Sequence, residues 1–231
     1  MIDFNCIPVK KDHGDSVCNK ENAQIIKAFF LEELGYSAFF DAENPLTAAY
    51  LIRKYRLQED INWNAHLSTK ERKASPQGGW KLIDLIIYRL NSEFKTRLSE
   101  KDRAYFAAEL RHLVATDQLL NGLREHDYHM LYALANSGTS FSIKFASLFC
   151  RILCKFHPEL EDTYSDCFVV TDYKRLSKFS KNPQEDLANN AYMQYCKYLD
   201  GFIGMCNGAL PPEQRLNLSE EWLLDIYLEN Q

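Results

Sequence analysis

Apolar residues recur at helical spacing along most of this chain. Asn19 reads as an N-cap, and Ile25, Ile26, Phe29, Phe30 and Leu34 follow it until Gly35 stops the pattern. Asn44-Pro45 sets a cap before a proline and predicts a helix to about Leu57, burying Leu46, Tyr50, Leu51 and Tyr55. Ser68 to Gly79 is polar, with Pro76 and a Gly-Gly pair, and reads as a loop. Trp80 to Phe94 is too long and too evenly apolar for a strand, so it predicts a buried helix. Ser99-Glu100-Lys101-Asp102 opens the next helix, with a cap and first-turn acids, and Phe106, Leu110 and Leu113 continue it. Shorter helices are expected at about Tyr128–Leu134 and Ser142–Lys155. Asn182-Pro183 repeats the cap signal before a long helix to about Cys206, and Ser219 caps a last one to Leu228. No stretch alternates as a strand does. The expectation is an all-α, two-lobed bundle of about eight or nine helices spanning 1–231, with an N-terminal lobe over 1–75 and a hairpin region over 128–182.

Composition narrows the class. With 231 residues, 46% of them hydrophobic, the chain has the material for a real core. No apolar run is long enough for a bilayer, and the N-terminus lacks a basic start with an apolar stretch, so a cytoplasmic protein is expected. The seven cysteines are irregularly spaced and include no CxxC pair. Reduced thiols are therefore expected, with no metal and no cofactor. A net charge of -5 argues against non-specific coating of nucleic acid. A local basic face remains, because Lys174, Arg175, Lys178 and Lys181 surround a single acid, Asp172.

Leu134 to Val169 is the stretch whose order suggests chemistry. The turn Asn136-Ser137-Gly138-Thr139-Ser140 is built of small polar residues, whose backbone N–H groups suit a phosphate oxygen. Lys144 follows on an otherwise apolar helix beside Phe145, Leu148 and Phe149. A partly desolvated lysine amine is a nucleophile for a sugar C1′. After Pro158, Asp166 precedes the apolar run Cys167–Val170, with Asp162 as a second carboxylate. A fixed carboxylate stabilises the positive charge that develops on a sugar as its base departs.

The order of hairpin, lysine-bearing helix, proline loop and Tyr-x-Asp resembles the helix-hairpin-helix DNA glycosylase superfamily, most of all its 8-oxoguanine glycosylase branch. The resemblance implies that the hairpin at 136–140 grips duplex DNA carrying a damaged or modified base. It further implies Lys144 as nucleophile and Asp166 as the required carboxylate. Lys174, Arg175 and Lys178 would add backbone contacts. A flipped base needs a wedge and a stacking pocket, for which Tyr128, His129, Phe141 and Trp80 are candidates. A bacterial defence enzyme removing modified bases from phage DNA fits such a divergent member. The family hairpin reads Leu-Pro-Gly-Val-Gly, whereas this chain has Leu134-Ala135-Asn136-Ser137-Gly138.

Two other readings stand beside this one. Arg124 and His129 have the Arg-x4-His spacing of helical HEPN ribonucleases. A non-catalytic helical interaction protein, with its acidic surface meeting a partner, is the third.

Overall fold

The structure, a computed structural model, describes residues 41–94, 98–135, 140–160, 167–170, 176, 179, 180, 191–197, 200, 201 and 212; the side chains of Ser140 and Phe141 are not among them. The protein is all-α: the described residues contain helices and no strand. In chain order these are α1 (Ala48–Tyr55), a 3-10 turn (Asn64–His66), α2 (Thr69–Lys73), α3 (Leu82–Glu93), α4 (Glu100–Ala115), α5 (Gln118–Arg124), α6 (His129–Leu134) and α7 (Ser140–Phe156). Residues 191–197 are also helical. The helices expected at 19–34 and 220–228, and most of that at 183–206, lie outside the described residues.

Capping explains where the helices begin. Thr47, not Asn44, caps α1, accepting from the Tyr50 N–H at 3.2 Å. Asn44 instead accepts from the Leu46 N–H at 3.0 Å, which holds Asn44-Pro45-Leu46 in a turn ahead of the helix. Leu46 is consequently 52% exposed, contrary to its expected burial. The expected loop at 68–79 holds α2. Ser68 accepts from the Glu71 N–H while the Glu71 side chain accepts from the Ser68 N–H, a complete capping box. Ser68→Ala is expected to cost about 1 kcal/mol, read as a lower urea midpoint at unchanged slope. Helix α3 has no side-chain cap of its own. The Glu59 carboxylate supplies one from a distant loop, accepting from Leu82 N at 3.0 Å and Ile83 N at 3.3 Å.

Helix α4 begins as its sequence predicts, with Ser99 accepting from Asp102 N at 3.1 Å. Helix α5 is not among the helices expected above, because Asp117 enters it in the left-handed region without a side-chain cap. Gly122 lets α5 approach the next turn: a Cβ there would meet the Asp127 carbonyl at 2.8 Å.

Packing follows the apolar faces. Helix α4 lies against α3, α5 and α6, while α1 lies against α3 and α7, and α6 against α7. Phe106 of α4 sits edge-on to Phe145 and Phe149 of α7, at 4.8 and 5.7 Å. One continuous buried cluster runs from Ala48 to Cys196 and joins residues on both sides of position 75.

A buried ion pair ties the first helices together. Arg89 of α3 donates through Nε to Glu71 Oε1 at 2.7 Å and through Nη2 to Glu71 Oε2 at 3.1 Å. Its remaining N–H groups reach the carbonyls of Pro45 (2.9 Å), Thr47 (3.2 Å) and His66 (2.8 Å). The two side chains are 2% and 7% exposed. Burial alone would raise the Glu71 pKa, but the hydrogen bonds from Arg89 and Ser68 outweigh it and hold the carboxyl below its ordinary value.

Candidate active-site face along α7

Helices α6 and α7 follow each other through a short connection and pack together. Ser142 Oγ donates to the Ala135 carbonyl at 3.0 Å, which ties the start of α7 to the end of α6. The hairpin residues Asn136, Ser137, Gly138 and Thr139 lie outside the described residues, as do Asp162, Asp166, Lys174, Arg175 and Lys178. Lys144 is described. It is half-buried on the second turn of α7, between Ile143 and Phe145, both fully buried.

The extended segment 167–170 is strapped to α7. Val170 N donates to Ser147 Oγ at 2.8 Å. At the other end, the Cys167 thiol lies beside that of Cys154 and within 3.1 Å of Tyr192 Oη. Tyr192 Oη donates to the Phe168 carbonyl at 2.7 Å, and Tyr195 Oη to the Val169 carbonyl at 3.0 Å. Arg151, itself buried, lies over the Phe168 ring at 4.7 Å. Cys167 is therefore level with Cys154 and Val170 with Ser147, so the segment runs antiparallel to α7.

On α7, Ser147 is three residues from Lys144, about 4.5 Å along the helix axis, whereas Cys154 is ten residues away, about 15 Å, so Val170 is the end of the strap nearer the level of Lys144.

The thiols beside the strap are structural. Cys150, Cys154, Cys167 and Cys196 are all free and buried. Burial, with Cys167 nearby, pushes the Cys150 thiol well up; for Cys154 the neighbouring Cys167 thiol and then burial do the same. Neutral buried thiols are unreactive. Among the described residues no group of His, Cys, Asp or Glu side chains is arranged to hold a metal ion. Nor is any described helix long and apolar enough to cross a membrane.

The base-pocket candidates separate. Tyr128 is 1% exposed, and its ring packs edge-on against Tyr192 at 4.7 Å. It belongs to the core and is not a wedge available to DNA. Phe141 lies outside the described side chains. Trp80 is half-buried, fixed by its Nε1–H to the Glu71 carbonyl at 2.9 Å and packed at a tilt against the Tyr88 ring at 5.0 Å. His129 is exposed, 3.9 Å from Asp127, and lines an open groove of about 450 Å3 between α4, α5 and α6.

Arg124 is not itself among the residues of that groove, but it donates to the side chain of Asn121, which is, at 3.2 Å, and its guanidinium pairs with Glu159, beyond the end of α7. Arg124 also stands near His157. Burial, followed by Arg56 and Arg124, lowers the His157 pKa and leaves the ring neutral at pH 7. Set against family models, curated proteins and solved structures, the chain matches none.

Proposed function

We propose that the protein is a DNA glycosylase that flips out a damaged or modified base and cleaves its N-glycosidic bond. The observation that carries the reading is the half-buried Lys144 among fully buried apolar neighbours on α7, the helix that also holds the strap following Asp166 in sequence. A helix, a short link and a second helix closed by Ser142 and Ala135 add the arrangement expected of a backbone-gripping hairpin.

In this mechanism the Asp166 carboxylate stabilises the positive charge that develops on the sugar as the base departs. Lys144 then bonds to C1′, or water activated by the carboxylate does so. Phosphate contacts would come from the 136–140 turn and from Lys174, Arg175 and Lys178, and they position the duplex without reading its sequence. The target is duplex DNA with a modified base, glucosylated phage DNA among the candidates.

Base release tests the reading. DNA carrying a panel of modified bases is incubated with the protein, and abasic sites are revealed by alkali cleavage. Wild type is expected to generate sites on at least one substrate. Asp166→Asn should fall to background. Borohydride should trap a protein–DNA adduct that Lys144→Gln loses, if the amine and not water captures the sugar. No abasic sites on any DNA would sink the proposal.

A further inference from the structure

We propose that the groove between α4, α5 and α6 is a docking site for an arginine-bearing segment of a partner protein. The inference is independent of the glycosylase reading.

The groove is acidic. Glu109 of α4 and Glu125 and Asp127 of the α5–α6 link line it, together with His112 and His129; no Lys or Arg lines it, and Arg124, which donates to the lining Asn121 at 3.2 Å, is paired with Glu159. At neutral pH its field therefore favours cations and disfavours nucleic-acid phosphate. Its floor is apolar, formed by Leu113, Met130 and Ala133. A bare cation would leave that floor uncovered, and the carboxylates are not arranged for a metal.

The groove also continues onto an aromatic rim. Among the described residues only four large hydrophobics are prominently exposed, and Tyr105 and Tyr132 are two of them, at 39% and 44%. Tyr105 lies one turn before Glu109 on α4, and its Oη donates to the carbonyl of Ala133, itself a lining residue. Tyr132 directly precedes Ala133 on α6. Exposed carboxylates beside tyrosine rings are complementary to guanidinium, which bonds a carboxylate through two parallel N–H groups and stacks on an aromatic face. Lysine can do only the first part, and only as a point charge. A peptide has the length to place its methylene stems on the apolar floor.

The probe is a fluorescein-labelled peptide of alternating arginine and glycine, with lysine–glycine and glutamate–glycine counterparts, titrated by anisotropy against the full chain. Saturable binding is expected for the arginine peptide, about fivefold weaker binding for the lysine peptide, and none for the glutamate peptide. Glu109→Gln/Glu125→Gln should weaken the arginine peptide by about tenfold. Tyr105→Ala/Tyr132→Ala should abolish the preference for arginine over lysine. Circular dichroism melts of each variant separate lost binding from lost folding, and the base-release assay should be unaffected by the Glu109/Glu125 pair. No binding, equal affinity for all peptides, or full affinity in the folded Glu109/Glu125 variant would overturn the proposal.

Discussion

Arg89→Met is expected to lower the unfolding free energy by about 3–5 kcal/mol, the usual consequence of stranding one member of a buried ion pair. The guanidinium spends every N–H inside the protein, on Glu71 and on the carbonyls of Pro45, Thr47 and His66. Removing it leaves a carboxylate that is 7% exposed, and three carbonyls from two separate segments without their donor. Methionine keeps much of the volume, so the loss reports on charge and hydrogen bonding more than on a cavity. The double variant Arg89→Met/Glu71→Gln should recover part of the loss, because the stranded charge is gone. Urea denaturation of the variants checks both statements. A cost under about 1 kcal/mol for Arg89→Met would mean that the pair is dispensable, as exposed pairs usually are.

Glu93→Gln is expected to stabilise the protein at pH 8 and to leave it unchanged at pH 4. Glu93 ends α3, and its Oε1 accepts from the Ala48 N–H at 3.1 Å, at the start of α1. Oε2 is buried without a hydrogen-bond partner. Burial raises the pKa to about 7, with Glu71 adding to it and the Ala48 N–H and Arg89 opposing. In the unfolded chain the group returns to its ordinary 4.5. Below that value both states carry the proton and nothing is lost. Between 4.5 and about 7 the unfolded state ionises while the folded state does not, so stability falls as pH rises. Above about 7 the penalty is complete, on the order of 3 kcal/mol. Glutamine keeps the acceptor for Ala48 and does not titrate. Subtracting wild type from variant at each pH isolates this residue from the other titrating groups. A stability difference that does not change between pH 4 and pH 8 would refute the argument.

Periodicity announced α3 and α7 because their apolar runs are long and face a core on most sides. Ser99 was legible for the same kind of local reason, since a cap and the amide it serves are three residues apart. What escaped was whatever depends on distant partners. Glu59 caps α3 from 23 residues away, and Arg89 finds its carbonyls up to 44 residues away. No window of sequence holds both halves of such an interaction. The Ser68/Glu71 capping box was legible in principle, but the nearby Pro76 and Gly-Gly pair outweighed it. The lysine of the candidate site was readable as a charge on an apolar helix. Its proposed carboxylate, Asp166, was readable from the order of parts along the chain and lies outside the described residues.

The strap also has an order of assembly. Its backbone groups are held by hydroxyls from both flanks in sequence, Ser147 before it and Tyr192 and Tyr195 after it. None of these bonds closes a short loop, so docking waits until α7 and the helical residues 191–197 are both in place. A nascent chain halted after Val170 would have Ser147 to pair with and no tyrosine hydroxyls. The piece of chain that packs along α7 is therefore among the last to form, and a partly folded protein would carry the helix with Lys144 before it carried the strap.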